Sequence, residues 1–258
     1  MNHTVVFKTL LKAALQDWIS IGWAVIFPMA LIVGMRVAFG DALDATRLLA
    51  GTVGFATIFF AVHGTGFDIL GQRTRGVYKL LRASPFPVSV FIVWLSLARG
   101  VITVAAALAV ALFGNWWLAA GLSPDDLLGL IAGAVLGALA FTTLGVIMGN
   151  LGNNEGQVAA LNNIVTFPLL FLTETFYSLG EAPAWLQMLR DVLPFNHYLR
   201  LVQTLATGDL AAAWGPMLIV AGFGLAFLSI AVLTFRWDPA QPLLRTTQRR
   251  GPRRLATP

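Results

Sequence analysis

Few residues in this chain are of a type that does chemistry, and their spacing excludes most of it. The three histidines, His3, His63 and His197, lie far apart and form no HExxH zinc site. The three lysines, Lys8, Lys12 and Lys79, never follow a glycine, so the phosphate-binding pattern GxxxxGK[ST] is absent and the chain cannot hydrolyse ATP by that machinery alone. No GxSxG nucleophile elbow occurs. With no cysteine there is no disulfide, zinc-thiolate site or iron–sulfur cluster. What remains are ionisable and amide side chains inside apolar runs, which are functional candidates by their depth. His63, beside Gly64, Thr65 and Gly66, contacts either a substrate or a neighbouring helix. Arg99 sits centrally in its run and needs a buried partner or a watery lumen, because a central arginine costs about 2.5–3.5 kcal/mol on insertion scales. Arg36 is near a run's end and can snorkel outward. Glu174 either lines an exit path or is hydrated at the interface. The stretch holding Asn162, Asn163, Thr166, Phe167 and Phe171 is a helix that Pro168 kinks. Its amides and aromatics suit either a pathway for amphiphiles or interhelical packing.

The elements that position these residues belong to a membrane. Of 258 residues 57% are apolar and 11% charged, and the mean hydropathy is +0.77; a soluble domain carries about 25% charge. A spanning helix needs about 20 mostly apolar residues. Six candidates occur, at 18–39, 48–70, 88–113, 127–149, 158–177 and 213–236. No period-2 alternation marks a β-barrel, so the expected class is all-α and polytopic. Gly129, Gly133 and Gly137 form a ridge that permits close helix contact.

Six spans place both termini on one side, and basic residues choose it. Lys8, Lys12, Arg73, Arg75, Lys79, Arg82, Arg236, Arg245, Arg249, Arg250, Arg253 and Arg254 fall on the side of the termini, against Arg47, Arg190 and Arg200 on the other. The positive-inside rule makes the terminal side cytoplasmic. The chain is therefore read as an inner-membrane protein, with lipids rather than nucleic acid as the partner of its +5 charge.

Residues 1–17 read as an amphipathic interfacial helix, with Val6, Phe7, Leu10, Leu11, Ala14 and Leu15 on one face. The loop 72–85, QRTRGVYKLLRASP, is basic and helix-compatible until Ser84-Pro85. Its cations either enforce topology or, with Tyr78, Leu80 and Leu81, make a protein-docking surface. The segment 178–210 is long for a connector. It reads as two short helices on the outer side, the second capped by Asn196 and closed by Gly208. Residues 18–236 form one transmembrane domain, and residues 237–258 a basic, disordered cytoplasmic tail.

Two stretches carry a resemblance. RTRGVYKLLRASPFP, 73–87, and FYSLGEAPAWLQMLRDVLPFNHYLRLVQTLATGD, 176–209, resemble the second-to-third loop and the fifth-to-sixth segment of the permease subunits of type-2 ATP-binding-cassette (ABC) transporters, and the resemblance covers nearly the whole chain. Family loops often carry glutamates about the first arginine; here Gln72 and Thr74 stand there. The resemblance implies an exporter, leaning to the drug-export-like branch, that moves a drug, lipid or lipid-linked glycan by alternating access. Two permease chains, identical in the simplest case, would each dock a separate ATPase subunit that binds the ATP and magnesium; this chain would bind no cofactor or metal and catalyse nothing. Gln72, Arg73, Arg75, Gly76, Tyr78, Lys79, Leu81 and Arg82 would then couple to the ATPase, and His63, Asn162, Asn163, Thr166, Phe167, Phe171 and Glu174 would line the substrate pathway. The alternative, resting on Arg99, His63 and Glu174, is an ion- or proton-coupled secondary transporter working without an ATPase.

Overall fold

The computed structural model describes residues 3–78, 87–173, 175–176 and 182–235. The expectations for Lys79, Leu81, Arg82, Glu174 and the basic tail lie outside the described residues. Every regular element among the described residues is helical. In chain order they are α1 (His3–Leu15), α2 (Trp18–Phe39), α3 (Ala45–Phe59), a π-helical turn (Phe60–Gly64), α4 (Thr65–Thr74), α5 (Val88–Leu118), α6 (Pro124–Leu151), α7 (Glu155–Phe171), α8 (Ala184–Val192), α9 (Pro194–Ala206) and α10 (Leu210–Thr234).

Among the described residues, five rods are long and apolar enough to cross a bilayer: Ser20–Phe39, the continuous Ala45–Thr74, Val88–Leu118, Pro124–Leu151 and Leu210–Thr234. They match five of the six expected spans, and the chain is a multi-pass membrane protein. The remaining candidate, 158–177, differs. Its helix α7 has 17 residues, about 25 Å of rise against an apolar layer of about 30 Å. Pro168, which lacks an N–H and crowds the preceding turn, sits one turn before the end.

Helix starts follow local chemistry. Asp17 accepts from the Ser20 amide at 3.2 Å and caps α2; Asp44 accepts from Arg47 at 2.7 Å and caps α3. Ser123 and Asp126 form a reciprocal capping box at α6. Some hydroxyls within the rods turn back onto the preceding turn, as Thr52 does to Leu48 O and Thr57 to Val53 O, both at 2.8 Å, and these two cross the apolar layer satisfied. One expected cap is corrected. Asn196 does not start the last short helix; Pro194 occupies its first turn, where a missing N–H costs nothing, and Asn196 is buried inside it.

The central helix is α6, which touches α3, α4, α5, α7, α9 and α10. Its glycine ridge explains how. Gly129 and Gly133 receive Leu205 and Val202 of α9, and the Tyr198 ring lies against Gly137. One helical stretch further on, Gly145 and Gly149 meet the backbone of the π turn and of Gly66. By contrast α2 and α10 are mostly exposed, showing Trp23, Ile26, Phe27, Leu218, Leu225 and Leu233. Such a surface is tolerable only where lipid or a partner covers it. α1 lies against α5: Trp94 Nε1 donates to His3 Nδ1 at 3.1 Å, and Phe7 packs on the same indole at 5.7 Å.

Candidate functional site

Three helices present aromatic side chains at four-residue spacing, the spacing that stacks side chains on one helix face. They are Trp23 and Phe27 on α2, Phe55 and Phe59 on α3, and Phe167 and Phe171 on α7. All six wall one cavity of about 680 Å³. Neighbouring rings touch: Phe27 and Phe55 are 5.8 Å apart, Phe55 and Phe59 5.4 Å, and Phe167 and Phe171 6.1 Å. His63 and Asn163 supply its polar side chains. The space takes a molecule of drug size, and its aromatic walls favour flat apolar rings.

The π turn places His63. Its imidazole stacks on Phe59 with centroids 4.2 Å apart and planes at 19°. Its Nε2 is 3.0 Å from Thr166 Oγ1 on α7. Thr166 spends its only hydroxyl proton on Asn162 O at 2.5 Å, so Nε2–H donates to Thr166 and Nδ1 is left as an acceptor. This bond ties the π turn to α7.

Of the expected pathway residues, His63, Asn163, Phe167 and Phe171 come together on the cavity. Thr166 stands behind them as the histidine's partner. Asn162 does not join them. It is fully buried on another face of α7, its amide against Gly66, with no hydrogen-bond partner for that amide among the described residues. Sequence reasoning missed Trp23, Phe27, Phe55 and Phe59. Their i, i+4 spacing was a readable signal, but nothing in the chain's order says that three such ladders face one space. Arg99 lies outside the cavity wall. It is buried with its guanidinium carbon 5.3 Å from the Phe60 centroid and packed against Gly64. Arg36 bonds Gly40 O at 3.1 Å, at its own helix end.

The expected coupling residues divide by exposure. Arg75 is exposed, and Gly76 is half-buried at φ 76°, a backbone turn that suits glycine. Gln72 is buried, donating to Asp68 Oδ2 at 2.8 Å. Arg73 is buried and donates through Nη1 to Asn150 O at 3.0 Å and through Nη2 to Gly152 O. Tyr78 is buried between Phe91, at 5.5 Å, and Phe235, at 5.4 Å. Burial, and then the Asp68 charge, push its hydroxyl well above the ordinary tyrosine value, so it stays protonated. Beside this segment a polar hollow of about 720 Å³ opens between α1 and α4, walled by Gln16, Asp17, Asp68, Gln72 and Arg75 among others.

An all-helical, multi-pass bundle with a drug-sized aromatic cavity between its helices is the build of a membrane permease. The comparison with known proteins makes the class particular: residues 3–206 match the ABC-2 type transporter family, and the chain belongs to that family of transport subunits. It is similar to a Bacillus subtilis protein named as a transport permease, YvfS, at 22% identity over 86% of this chain and 91% of the relative. It is similar also to the daunorubicin resistance ABC transporter permease protein DrrB1 of Streptomyces coeruleorubidus, at 25% identity over 82% and 78%. A third relative, the inner membrane transport permease YhhJ of Escherichia coli, is 24% identical over 68% of this chain, which covers 48% of that protein.

Proposed function

We propose that this chain is the membrane subunit of an ATP-driven exporter of amphiphilic molecules that carry aromatic or other flat apolar parts. The observation that carries the reading is the cavity among α2, α3 and α7, with aromatic walls and His63 and Asn163 as its polar side chains. Drugs, lipids and lipid-linked glycans share the chemistry that fits; the name of the DrrB1 relative favours drug-like substrates. In this reading α7 and the residues after it complete a sixth crossing, both termini are cytoplasmic in the inner membrane, and α8 and α9 lie outside. The basic segment about Arg75 to Arg82 seats on a separate ATPase subunit that holds the ATP and magnesium. A second copy of the chain covers the exposed faces of α2 and α7 and closes the cavity.

The test is purification from native membranes in mild detergent, followed by reconstitution. A stoichiometric ATPase subunit should co-purify, and ATP should drive accumulation of rhodamine 6G in inside-out proteoliposomes. Phe59→Ala and Phe167→Ala should weaken dye stimulation of ATP hydrolysis and leave basal hydrolysis intact. Dye uptake driven by an imposed ion gradient, with no ATPase present, would replace this reading with the secondary transporter.

A further inference from the structure

Helix ends leave their last carbonyls without partners in the helix. At the α1 end of the bundle, two such ends are closed by side chains from elsewhere. α6 ends at Leu151 with Gly152 as its cap residue. The Arg73 guanidinium, 2% exposed, reaches both the Asn150 and the Gly152 carbonyls. α10 ends at Thr234, and the Asn150 side-chain amide, 1% exposed, donates to the Thr234 carbonyl. A cation at a helix C-terminus is doubly favourable, because it meets both the free carbonyls and the negative end of the dipole. Three segments separated by 77 to 84 positions in the chain are thus joined at one point by buried, partly charge-assisted hydrogen bonds.

The packing above that point extends the join. Gly149 sits against Gly66, and Gly145 against the carbonyls of Ala61 and Val62, so α6 is in backbone contact with both the π turn and the start of α4. α7 is held differently. It starts afresh after the turn at 152–154, meets α4 through Val158 and Asn162, which pack against Gly66, and meets the π turn through the His63–Thr166 bond described above.

We propose that Arg73 is a positioning residue that transmits force: it locks the ends of α4, α6 and α10 into one lever, so that displacement of the coupling segment moves three helices together. This rests on the permease reading, and it takes Arg73 off the docking surface. Arg75, two residues on and exposed, remains to meet the ATPase.

The test uses the full chain with its co-purified ATPase in proteoliposomes, with rhodamine 6G as the probe. Arg73→Ala should keep the ATPase bound and hydrolysing, while ATP-driven dye transport falls about tenfold or more for the loss of two buried charge-assisted bonds. Arg73→Lys, which can serve one carbonyl, should be intermediate. Arg75→Ala should instead release the ATPase. Normal transport by Arg73→Ala, or loss of the ATPase from it as from Arg75→Ala, overturns the proposal. A second measurement covers a variant that fails to fold. The chain has no cysteine, so Thr74→Cys and Leu233→Cys can carry spin labels. The distance between them should stay constant on ATP binding in the otherwise unchanged chain and broaden with Asn150→Ala or Arg73→Lys. An ATP-dependent change in the former, or no broadening in the latter, also overturns it. If no ATPase co-purifies with the unchanged chain, the permease reading itself fails, and the label distances then report on the tie alone.

Discussion

Adding one methyl group at Gly145 should separate two helices that the fold holds in backbone contact. A Cβ there would lie 2.6 Å from the Ala61 carbonyl oxygen, 2.8 Å from that of Val62 and 2.9 Å from Thr65 Cβ. Ordinary contacts begin at about 3.5 Å, so α6 must retreat by several tenths of an ångström. None of the opposing atoms is the end of a flexible side chain, and the opposing π turn is itself clamped by Arg99 behind Gly64 and by Thr166 before His63. Overpacking of this kind costs about 1–3 kcal/mol. At about 2–4 °C per kcal/mol for a chain of this size, Gly145→Ala should melt about 2–12 °C lower. Gly22 and Gly222 are the controls. Nothing lies within 4 Å of a Cβ at either, and alanine there should gain about 0.5–1 kcal/mol of helix propensity. The assay is fluorescence-detected gel filtration of detergent-solubilised protein after graded heating. Equal melting of Gly145→Ala and the unchanged chain would refute the claim that the α6 and π-turn backbones are in contact; a loss of stability in Gly22→Ala equal to that at Gly145 would refute the assignment of the effect to that contact.

Three further outcomes are expected. Thr166→Val keeps the shape of the side chain and removes the acceptor of the His63 ring proton; the loss of about 1 kcal/mol should appear as lower thermal stability and as weaker half-saturation by rhodamine 6G in stimulated ATP hydrolysis. Asn154→Ala removes the cap that accepts from the Gln157 amide at 2.9 Å; about 1 kcal/mol is lost at the start of α7, read as faster hydrogen exchange over 155–160. At the junction of α8 and α9, Asp191 takes hydrogen bonds from Arg190 at 3.1 Å and Arg200 at 2.9 Å, and these, the Arg190 bond first, lower its carboxyl below the ordinary value. A depressed pKa gives stability that is present above the unfolded value and lost as pH falls through the folded one. Trp185 fluorescence should therefore be flat from about pH 5 to 8 and change only below about pH 4, and Asp191→Asn should reproduce the acid state at neutral pH.

Much of the fold was legible because composition and length are decisive in a bilayer. Helices α2, α5, α6 and α10 begin at or a few residues before the starts that the apolar runs give them: at Trp18, Val88, Pro124 and Leu210. The Gly129–Gly133–Gly137 ridge could be read as a packing face, and it is one. α7 was less legible, because apolar residues continue past Phe171 while its helix, with Pro168 one turn from its end, does not.

The candidate site shows the same division. Residue types alone established that this chain has no phosphate-binding loop, that it lives among lipids, and that His63, Asn163, Phe167 and Phe171 were worth watching. Whether a polar side chain faces a cavity or a neighbouring helix depends on the rotation of a rod about its axis, which apolar character on all sides leaves undetermined. Only the packed structure turned Asn162 inward and Asn163 toward the cavity, one residue apart on α7. Only the packed structure separated Arg73 from Arg75: two arginines of one loop, equal as charges, differ because the carbonyls of Asn150 and Gly152 lie within reach of the first. Hydrophobic content set where most of the long helices run and what surrounds them; the close approach of backbones at glycine and the pairing of helix-end carbonyls decided which side chains they share.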